Sequence, residues 1–223
     1  MCSLKILLIN NEPNSEDLGL IPDAEEYGLP SGCLQIQNLK KKLAAYGEVI
    51  VLHYKALEQL NFIPDCIFLS GRFAPWDAKT LDTEFCKEMD LIRNPPCPVF
   101  GICAGIQLIA AAFGSPCVDM SHPEGEHGYQ SLDIICDSML TKGMDQRAQF
   151  FLYHVERVCF LPKGFRLLAS SRDCRIQMME HTTLPIFGTQ FHPELYCDAF
   201  PDGKKLLENL FARIAIIQPN KNF

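Results

Sequence analysis

The sequence lacks several features that would assign it to a specialised class of protein. No stretch approaches the roughly 18 consecutive apolar residues that a membrane-spanning helix needs, and no Cys-x-x-Cys pair occurs among the 11 cysteines. Basic residues are few: 20 Lys and Arg face 27 Asp and Glu, and the short Lys40–Lys42 run fits a solvated helix face. These absences argue against a membrane protein, a disulfide scaffold and a nucleic-acid-binding protein.

The composition that remains is that of an ordinary globular protein. Of the 223 residues, 48% are hydrophobic and 21% are charged, which excludes a disordered or low-complexity chain. Met1–Lys5 leads directly into a strand-like run rather than into a signal peptide. Most cysteines lie in or beside apolar runs, where a thiol behaves as a small apolar side chain in a reducing compartment. We therefore expect one domain spanning residues 1–223 in a soluble cytoplasmic protein.

The first half of the chain alternates short apolar runs with helical patterns. Strands are predicted at Leu4–Ile9, Val49–His53, Cys66–Leu69 and Pro98–Ile102, and helices at Cys33–Tyr46 and Thr80–Arg93. Short strands that are apolar throughout and alternate with helices indicate a parallel sheet covered on both faces.

The second half predicts closely spaced strands followed by one helix. The strand candidates are Leu132–Cys136, Phe150–Tyr153, Val158–Leu161, Phe165–Ala169, Ile176–Glu180 and Ile186–Phe191. The helix is predicted at Gly203–Ile217, and the tail after it, from Gln218 on, is expected to fray. The predicted fold class is therefore α/β: an open, mostly parallel sheet flanked by helices, with an antiparallel extension of the same sheet in the C-terminal half.

One cysteine differs from the others in its surroundings. Cys103 follows the strand Pro98–Ile102 and precedes an Ala-rich helix, with Gly101 and Gly105 two residues to either side. A nucleophile elbow needs this pattern, because the small residues let strand and helix pack around a strained turn. The helix N-terminus also favours an anion such as a thiolate. The alternative is a buried strand-end cysteine in a glycine-containing turn.

A thiol nucleophile needs a base, and the base needs a group that orients it. His192 follows an apolar strand, and Glu194 stands two residues later. In extended backbone these two side chains point to the same side, so the carboxylate can hold one imidazole nitrogen while the other faces the thiol. Both Cys103 and His192 follow strands, where open α/β sheets collect their sites. The alternative is a loop histidine with an incidental carboxylate.

Taken together, these segments resemble the class I, or triad-type, glutamine amidotransferase family. The matching segments are Ile67–Gly71 (IFLSG), Gly101–Gln107 (GICAGIQ), Glu126–Gly128 (EHG), Tyr153–Val158 (YHVERV), Leu161–Phe165 (LPKGF) and Gln190–Glu194 (QFHPE). The resemblance runs from about residue 66 to 195 and more weakly from the first strand, and it implies the flavodoxin-like fold of that family.

The resemblance also implies roles for individual residues. Cys103 would attack the side-chain amide carbon of glutamine, His192 would carry the thiol proton to the departing ammonia, and Glu194 would orient His192. The backbone N–H groups of Ala104 and of the Gly71–Arg72 turn would hold the oxyanion. The remaining implied contacts are with the substrate: Gln107 would bind glutamine, and the backbone of Val155 and Glu156 would lie near its amino-acid end. No cofactor and no metal is implied.

This sequence departs from the family pattern at three of these positions. Arg72 stands where the family has a flexible glycine, which bears on whether the oxyanion hole is preformed. Ile106 stands where His or Met is common, and Val155 where Gly or Ser is common. These changes bear on the affinity for glutamine and on which γ-glutamyl amide is the substrate. A poor oxyanion loop would lower activity in the absence of a partner.

Two other clusters invite competing interpretations. His122–His127 contains two histidines and two carboxylates, but Pro123 and Gly125 interrupt it, so a polar loop at the rim of the site is favoured over a metal site. Trp76 and the many phenylalanines are most simply core or interface residues, and the alternative is that Arg72, Phe73 and Trp76 together form an exposed docking loop.

Two classes of function therefore remain open. The first is a glutaminase, which either delivers ammonia to a synthase on a separate chain or acts alone as a hydrolase of γ-glutamyl compounds. The second is a regulatory or binding member of the family with weak catalysis. The intact Cys103, His192 and Glu194 favour the first class, and Arg72 mildly favours the second.

Overall fold

The computed structural model describes residues 3–74, 83–119 and 125–217. The helices are α1 (Gln35–Leu43), α2 (Cys86–Arg93), α3 (Ala104–Ala112) and α4 (Asp202–Ile217). The strands are β1 (Leu4–Asn10), β2 (Gly47–His53), β3 (Cys66–Leu69), β4 (Val99–Ile102), β5 (Cys117–Asp119), β6 (Glu126–Ile134), β7 (Arg147–His154), β8 (Glu156–Val158), β9 (Phe165–Ser170), β10 (Met178–His181) and β11 (Ile186–Thr189). Three short 3-10 helices lie at Ala24–Tyr27, Tyr54–Gln59 and Pro193–Leu195.

Nine strands form one sheet in the order β2-β1-β3-β4-β11-β10-β9-β6-β7. Neighbours from β2 to β11 pair in parallel, and neighbours from β11 to β7 pair antiparallel. The predicted fold class, a parallel sheet with an antiparallel extension, is confirmed. The order places β4 between β3 and β11, so the C-terminal ends of these three strands lie side by side.

Helices cover the parallel half of the sheet on both faces, as the uniformly apolar strands predict. Along β1, Ile6 and Leu8 pack into one apolar cluster, with residues of α1 and α4. Leu7 and Ile9 point the other way and pack into a second cluster, with residues of α2 and α3. Since successive side chains of a strand alternate between the faces, a strand buried on both sides must be apolar at every position.

Two features of the second half differ from the prediction. The predicted strand Val158–Leu161 lies earlier, as β8, and it does not extend the main sheet: it pairs antiparallel with β5, which the sequence did not predict, in a separate two-stranded sheet. The segment Glu126–His127 begins β6 rather than lying in a polar loop. Residues 80–82 of the predicted second helix, and the tail after Ile217, lie outside the described residues. Within the described ranges, none of the helices combines the length and apolar character that a membrane crossing requires.

Candidate active site

Cys103 occupies a strained turn between β4 and α3. Its φ of 53° and ψ of −107° lie in a region that non-glycine residues seldom adopt. The flanking glycines permit the turn: a Cβ on Gly101 would stand 2.4 Å from the carbonyl carbon of Gly105, and a Cβ on Gly105 would stand 2.6 Å from the Leu69 carbonyl oxygen. The structure therefore places Cys103 on the elbow that the glycine spacing predicts, with strain that is typical of functional sites.

His192 and Glu194 form a buried pair beyond the end of β11. Nδ1 of His192 lies 2.9 Å from Oε1 of Glu194, and both side chains are fully buried. The prediction that they interact is confirmed, but its reasoning from extended backbone is wrong: Pro193–Leu195 forms a 3-10 turn, and this turn brings Glu194 back to the ring. The backbone N–H of His192 donates to the Phe151 carbonyl at 2.8 Å, which fixes the residue against β7.

The surroundings of His192 make its imidazole a stronger base. Burial disfavours the imidazolium, but the Glu194 carboxylate and the Cys103 side chain outweigh burial and raise the pKa of His192 well above its ordinary value. Nε2 is buried without a hydrogen-bond partner among the described residues. Because Cys103 lies within electrostatic reach of this ring, Nε2 is the nitrogen free to take a proton from the thiol.

The sulfur of Cys103 has two polar neighbours. The thiol donates to the carbonyl oxygen of Tyr153 across 3.8 Å, and Nε2 of Gln190 donates to the sulfur across 3.8 Å. Gln190 follows β11, the strand that pairs with β4 next to the elbow. The carbonyl and the amide thus contact the atom that would react.

A small cavity of about 140 Å³ opens beside Cys103. Its lining comes from three parts of the chain: the loop after β3, the elbow, and strands β6 to β8 with the turn between β7 and β8. The lining residues are Arg72, Phe73, Ala74, Cys103, Gln107, His127, Tyr153, His154, Val155 and Glu156. A second cavity of about 460 Å³, bordered by Arg166, His181 and Arg213, shares no lining residue with it. The cavity at Cys103 is therefore the candidate site despite its smaller size.

The three predicted substrate-binding residues all line this cavity. Nε2 of Gln107 donates to the Glu156 carbonyl and to Oε1 of Gln190, at 3.2 Å in each case. Val155 is half exposed at the rim. The backbone carbonyl of Glu156 also lies 3.0 Å from Nδ1 of His154. Both amide hydrogens of Gln107 are thus engaged by the protein, which leaves its amide oxygen for a ligand.

The loop after β3 is held by side-chain contacts. The Arg72 guanidinium donates to the carbonyls of Asn11, at 2.6 Å, and Ala74, at 3.1 Å. The N–H of Phe73 donates to Oε1 of buried Glu12 at 3.0 Å. Burial raises the pKa of Glu12, and this backbone hydrogen bond partly opposes the rise. The loop that carries the predicted oxyanion donors Gly71 and Arg72 is therefore held in place by the Arg72 guanidinium and by the backbone N–H of Phe73.

The second predicted source of an oxyanion donor is Ala104, the first residue of α3. The first N–H groups of a helix have no partner within the helix, so they can bind an anion at its N-terminus. The role of Ala104 as an oxyanion donor stays a prediction.

Three residues of the site went unassigned in the sequence. The ring of Phe73 stacks on that of His192, with centroids 6.3 Å apart and planes within 4°. Tyr153 meets Phe73 edge-on and supplies its carbonyl to Cys103. Gln190 could have been found, because it stands two residues before His192 in a segment already singled out. Phe73 was considered only as a core, interface or docking residue and Tyr153 only as part of a family-like segment, so neither was assigned to the site.

The cluster His122–His127 is described only in part. His122, Glu124 and Trp76 lie outside the described residues. Glu126 is buried and its Oε2 lies 3.2 Å from Nε2 of His154. Burial would raise the pKa of Glu126, but hydrogen bonds from its neighbours and the charge of His154 lower it overall. Cys174 lies close by, and burial raises the pKa of its thiol to about 12, so a neutral thiol stands beside the contact between Glu126 and His154.

An open α/β sheet with a cysteine on an elbow and a buried histidine–carboxylate pair at the next strand end is typical of enzymes that use a cysteine nucleophile. The family model described as "Glutamine amidotransferase class-I" matches residues 33–214. The chain belongs to the class I glutamine amidotransferase family.

Several relatives share most of the chain. The chain is 34% identical over 169 residues to a glutamine-hydrolyzing GMP synthase subunit from Saccharolobus solfataricus, covering 76% of this chain and 86% of that protein. It is 32% identical to the subunit of the same name from Methanosarcina mazei, covering 95% of this chain and 97% of that protein. The crystal structure of a candidate GMP synthase subunit from Thermoplasma acidophilum superposes with a TM-score of 0.74 at 25% identity, over 99% of this chain and 98% of that one.

Proposed function

We propose that this protein is a glutaminase that hydrolyses the side-chain amide of glutamine through a γ-glutamyl thioester. The observation that carries the proposal is a strained Cys103 at the edge of a small cavity. Beside it lies a buried pair in which Nδ1 of His192 and Oε1 of Glu194 are 2.9 Å apart. Family membership and the names of the relatives, which describe glutamine hydrolysis, support the same reaction.

The proton follows the geometry of His192 in this proposal. Nε2 first takes the Cys103 proton, for which the raised pKa of His192 makes the imidazole a better base, and the thiolate then bonds to the amide carbon. The imidazolium then protonates the departing nitrogen, so ammonia leaves and the thioester remains. Water, deprotonated by His192, hydrolyses the thioester to glutamate and restores the thiol. Glu194 accepts a hydrogen bond from Nδ1–H throughout.

The oxyanion of each tetrahedral intermediate is assigned to the N–H of Ala104 at the start of α3 and to the Gly71–Arg72 backbone. Gln107 offers its amide oxygen to the substrate, because its hydrogens are engaged.

The cavity at Cys103 has a volume of about 140 Å³, which is below the roughly 300–1,000 Å³ of sites for drug-sized ligands. This size favours free glutamine over a large γ-glutamyl conjugate.

The ammonia is proposed to serve a synthase on a separate chain. The two curated relatives are named as subunits of a glutamine-hydrolysing GMP synthase. We also propose that residues 1–223 form one amidotransferase domain, which the single nine-stranded sheet supports. A cytoplasmic location is proposed because all ten cysteines in the described part of the chain are free thiols.

The test combines ammonia release with covalent labelling. Purified protein is incubated with glutamine, and separately with a glutamine-analogue electrophile followed by peptide mass spectrometry. We expect ammonia release, label on Cys103 alone, and loss of both in Cys103→Ala. Exposed Cys86 provides the matched control, Cys86→Ala, which keeps both. Label scattered over other cysteines, or no label, would instead support the regulatory or binding role to which Arg72 points.

A further inference from the structure

Two buried glutamines form a hydrogen-bonded chain that ends on the sulfur of Cys103. The chain begins at the Glu156 carbonyl, which accepts from Nε2 of Gln107 at 3.2 Å. The same nitrogen donates to Oε1 of Gln190 at 3.2 Å, and Nε2 of Gln190 donates to the sulfur at 3.8 Å. Gln190 is fully buried and Gln107 is nearly so.

The chain fixes which end of the Gln190 amide faces the sulfur. A backbone carbonyl can only accept, so Glu156 requires the NH2 end of Gln107. That NH2 group also faces Gln190, which must present its oxygen there. The NH2 end of Gln190 is thereby turned to Cys103. The Glu156 carbonyl therefore determines, through Gln107, that Gln190 presents a hydrogen-bond donor to the sulfur.

We propose that Gln190 is a further catalytic residue, whose amide N–H stabilises the Cys103 thiolate after the proton has passed to His192. This inference rests on the proposed glutaminase function. The neutral thiol donates to the Tyr153 carbonyl. Once the proton has gone to Nε2 of His192, that carbonyl becomes an unfavourable neighbour of an anion, and Gln190 supplies a donor in its place. Hydrogen bonds to charged groups are about twice as strong as neutral ones.

In this proposal Gln107 is a positioning residue for Gln190, besides any contact with substrate. The interaction is specific to one stage of the reaction. When the sulfur bonds to the amide carbon, its negative charge is lost and the bond from Gln190 weakens. Gln190 therefore increases the fraction of Cys103 that is present as the thiolate, and it does not stabilise the thioester.

The test measures the pH dependence of alkylation, which needs no glutamine. Each variant is treated with iodoacetamide at a series of pH values, and the rate at Cys103 is followed by peptide mass spectrometry. In Gln190→Met and in Gln190→Asn, neither of which places a donor at the sulfur, we expect the midpoint for Cys103 to rise by about one pH unit. At a fixed pH below the midpoint this is about a tenfold slower reaction.

Controls separate this role from a structural one. Gln177 is another fully buried glutamine, bonded to Glu126 and Ser171, and Gln177→Met is expected to keep the wild-type midpoint. The exposed Cys86, Cys159 and Cys197 in each sample are internal references that should not shift.

The orienting role of Gln107 gives a second, independent readout. Gln107→Met is expected to shift the midpoint in the same direction by less, and to add nothing in a Gln190→Asn background. Circular dichroism establishes that each variant is folded. A wild-type midpoint in both Gln190 variants overturns the proposal. Should neither fold, the midpoint of Gln107→Met decides: an upward shift supports the proposal and a wild-type value overturns it. A shift in a protein that releases no ammonia would refute the glutaminase function and leave the contact with the thiolate standing.

Discussion

Replacing Glu88 by glutamine should stabilise the protein at neutral pH and leave it unchanged in acid. Glu88 lies in α2 and is 1% exposed, so its carboxyl group is shielded from water. Burial raises its pKa from the ordinary 4.5 to about 8, and nearby Asn11 opposes the rise only in part. The folded protein therefore holds a proton on Glu88 at pH values where the unfolded chain has lost it.

The sign and the size of the effect follow from this pKa. Since the folded state binds more protons between pH 4.5 and about 8, its stability falls as the pH rises through that range. At roughly 1.4 kcal/mol per pH unit, the loss reaches about 3 kcal/mol at pH 7. Glutamine has the same shape and no proton to lose. We expect Glu88→Gln to exceed the wild type by about 3 kcal/mol at pH 7 and by almost nothing at pH 4.

The assay is urea unfolding of both proteins at several pH values between 4 and 8, followed by circular dichroism. In thermal unfolding of a chain of this length, a stability difference of about 3 kcal/mol corresponds to a rise in Tm of about 6–12 °C at pH 7. Exposed Glu25 supplies the control, and Glu25→Gln should show a small difference that is the same at every pH. A pH-independent difference for Glu88→Gln, or a wild type that is the more stable at pH 7, would refute the reasoning.

Two further predictions concern the site itself. Glu194→Gln should lower kcat for glutamine by about 10²–10⁴-fold with little change in KM, because Glu194 orients His192 but does not line the cavity; an equal fall in affinity would contradict this, and steady-state kinetics decides. Arg72→Gly and Arg72→Ala both lose the guanidinium contacts with Asn11 and Ala74, but only glycine gains backbone freedom. The glycine variant should therefore have a kcat about 10-fold above that of the alanine variant, a small part of the 10²–10³-fold effect of one oxyanion donor. Equal kcat values would show that the backbone at this position does not limit the oxyanion hole.

The predictions that succeeded depended on short-range patterns. Apolar runs such as Cys66–Leu69 coincide with strands because a strand buried on both faces admits few polar residues. Gly101 and Gly105 located the elbow because any side chain there would overlap the facing backbone. The interaction of His192 with Glu194 was predicted from a separation of two residues, and it forms although the local backbone is a 3-10 turn.

One prediction that failed, and one contact that was not predicted, depended on pairing between distant segments. β8 was assigned to the main sheet, but three residues cannot specify a partner, and it pairs with β5 instead. The hydrogen bond between Glu12 and Phe73 joins segments about 60 positions apart, and no local pattern relates them.

By itself, the amino-acid sequence determined the fold class, the elbow at Cys103 and the pairing of His192 with Glu194, because each follows from the steric or hydrogen-bonding needs of adjacent residues. Only the tertiary structure decided what surrounds the sulfur: β11 lies beside β4, which brings Gln190 to the thiol, and β7 delivers the Tyr153 carbonyl. Such contacts come from strand order and register. Strand order and register are fixed by the packing of the whole core, and no periodic pattern in the sequence predicts them.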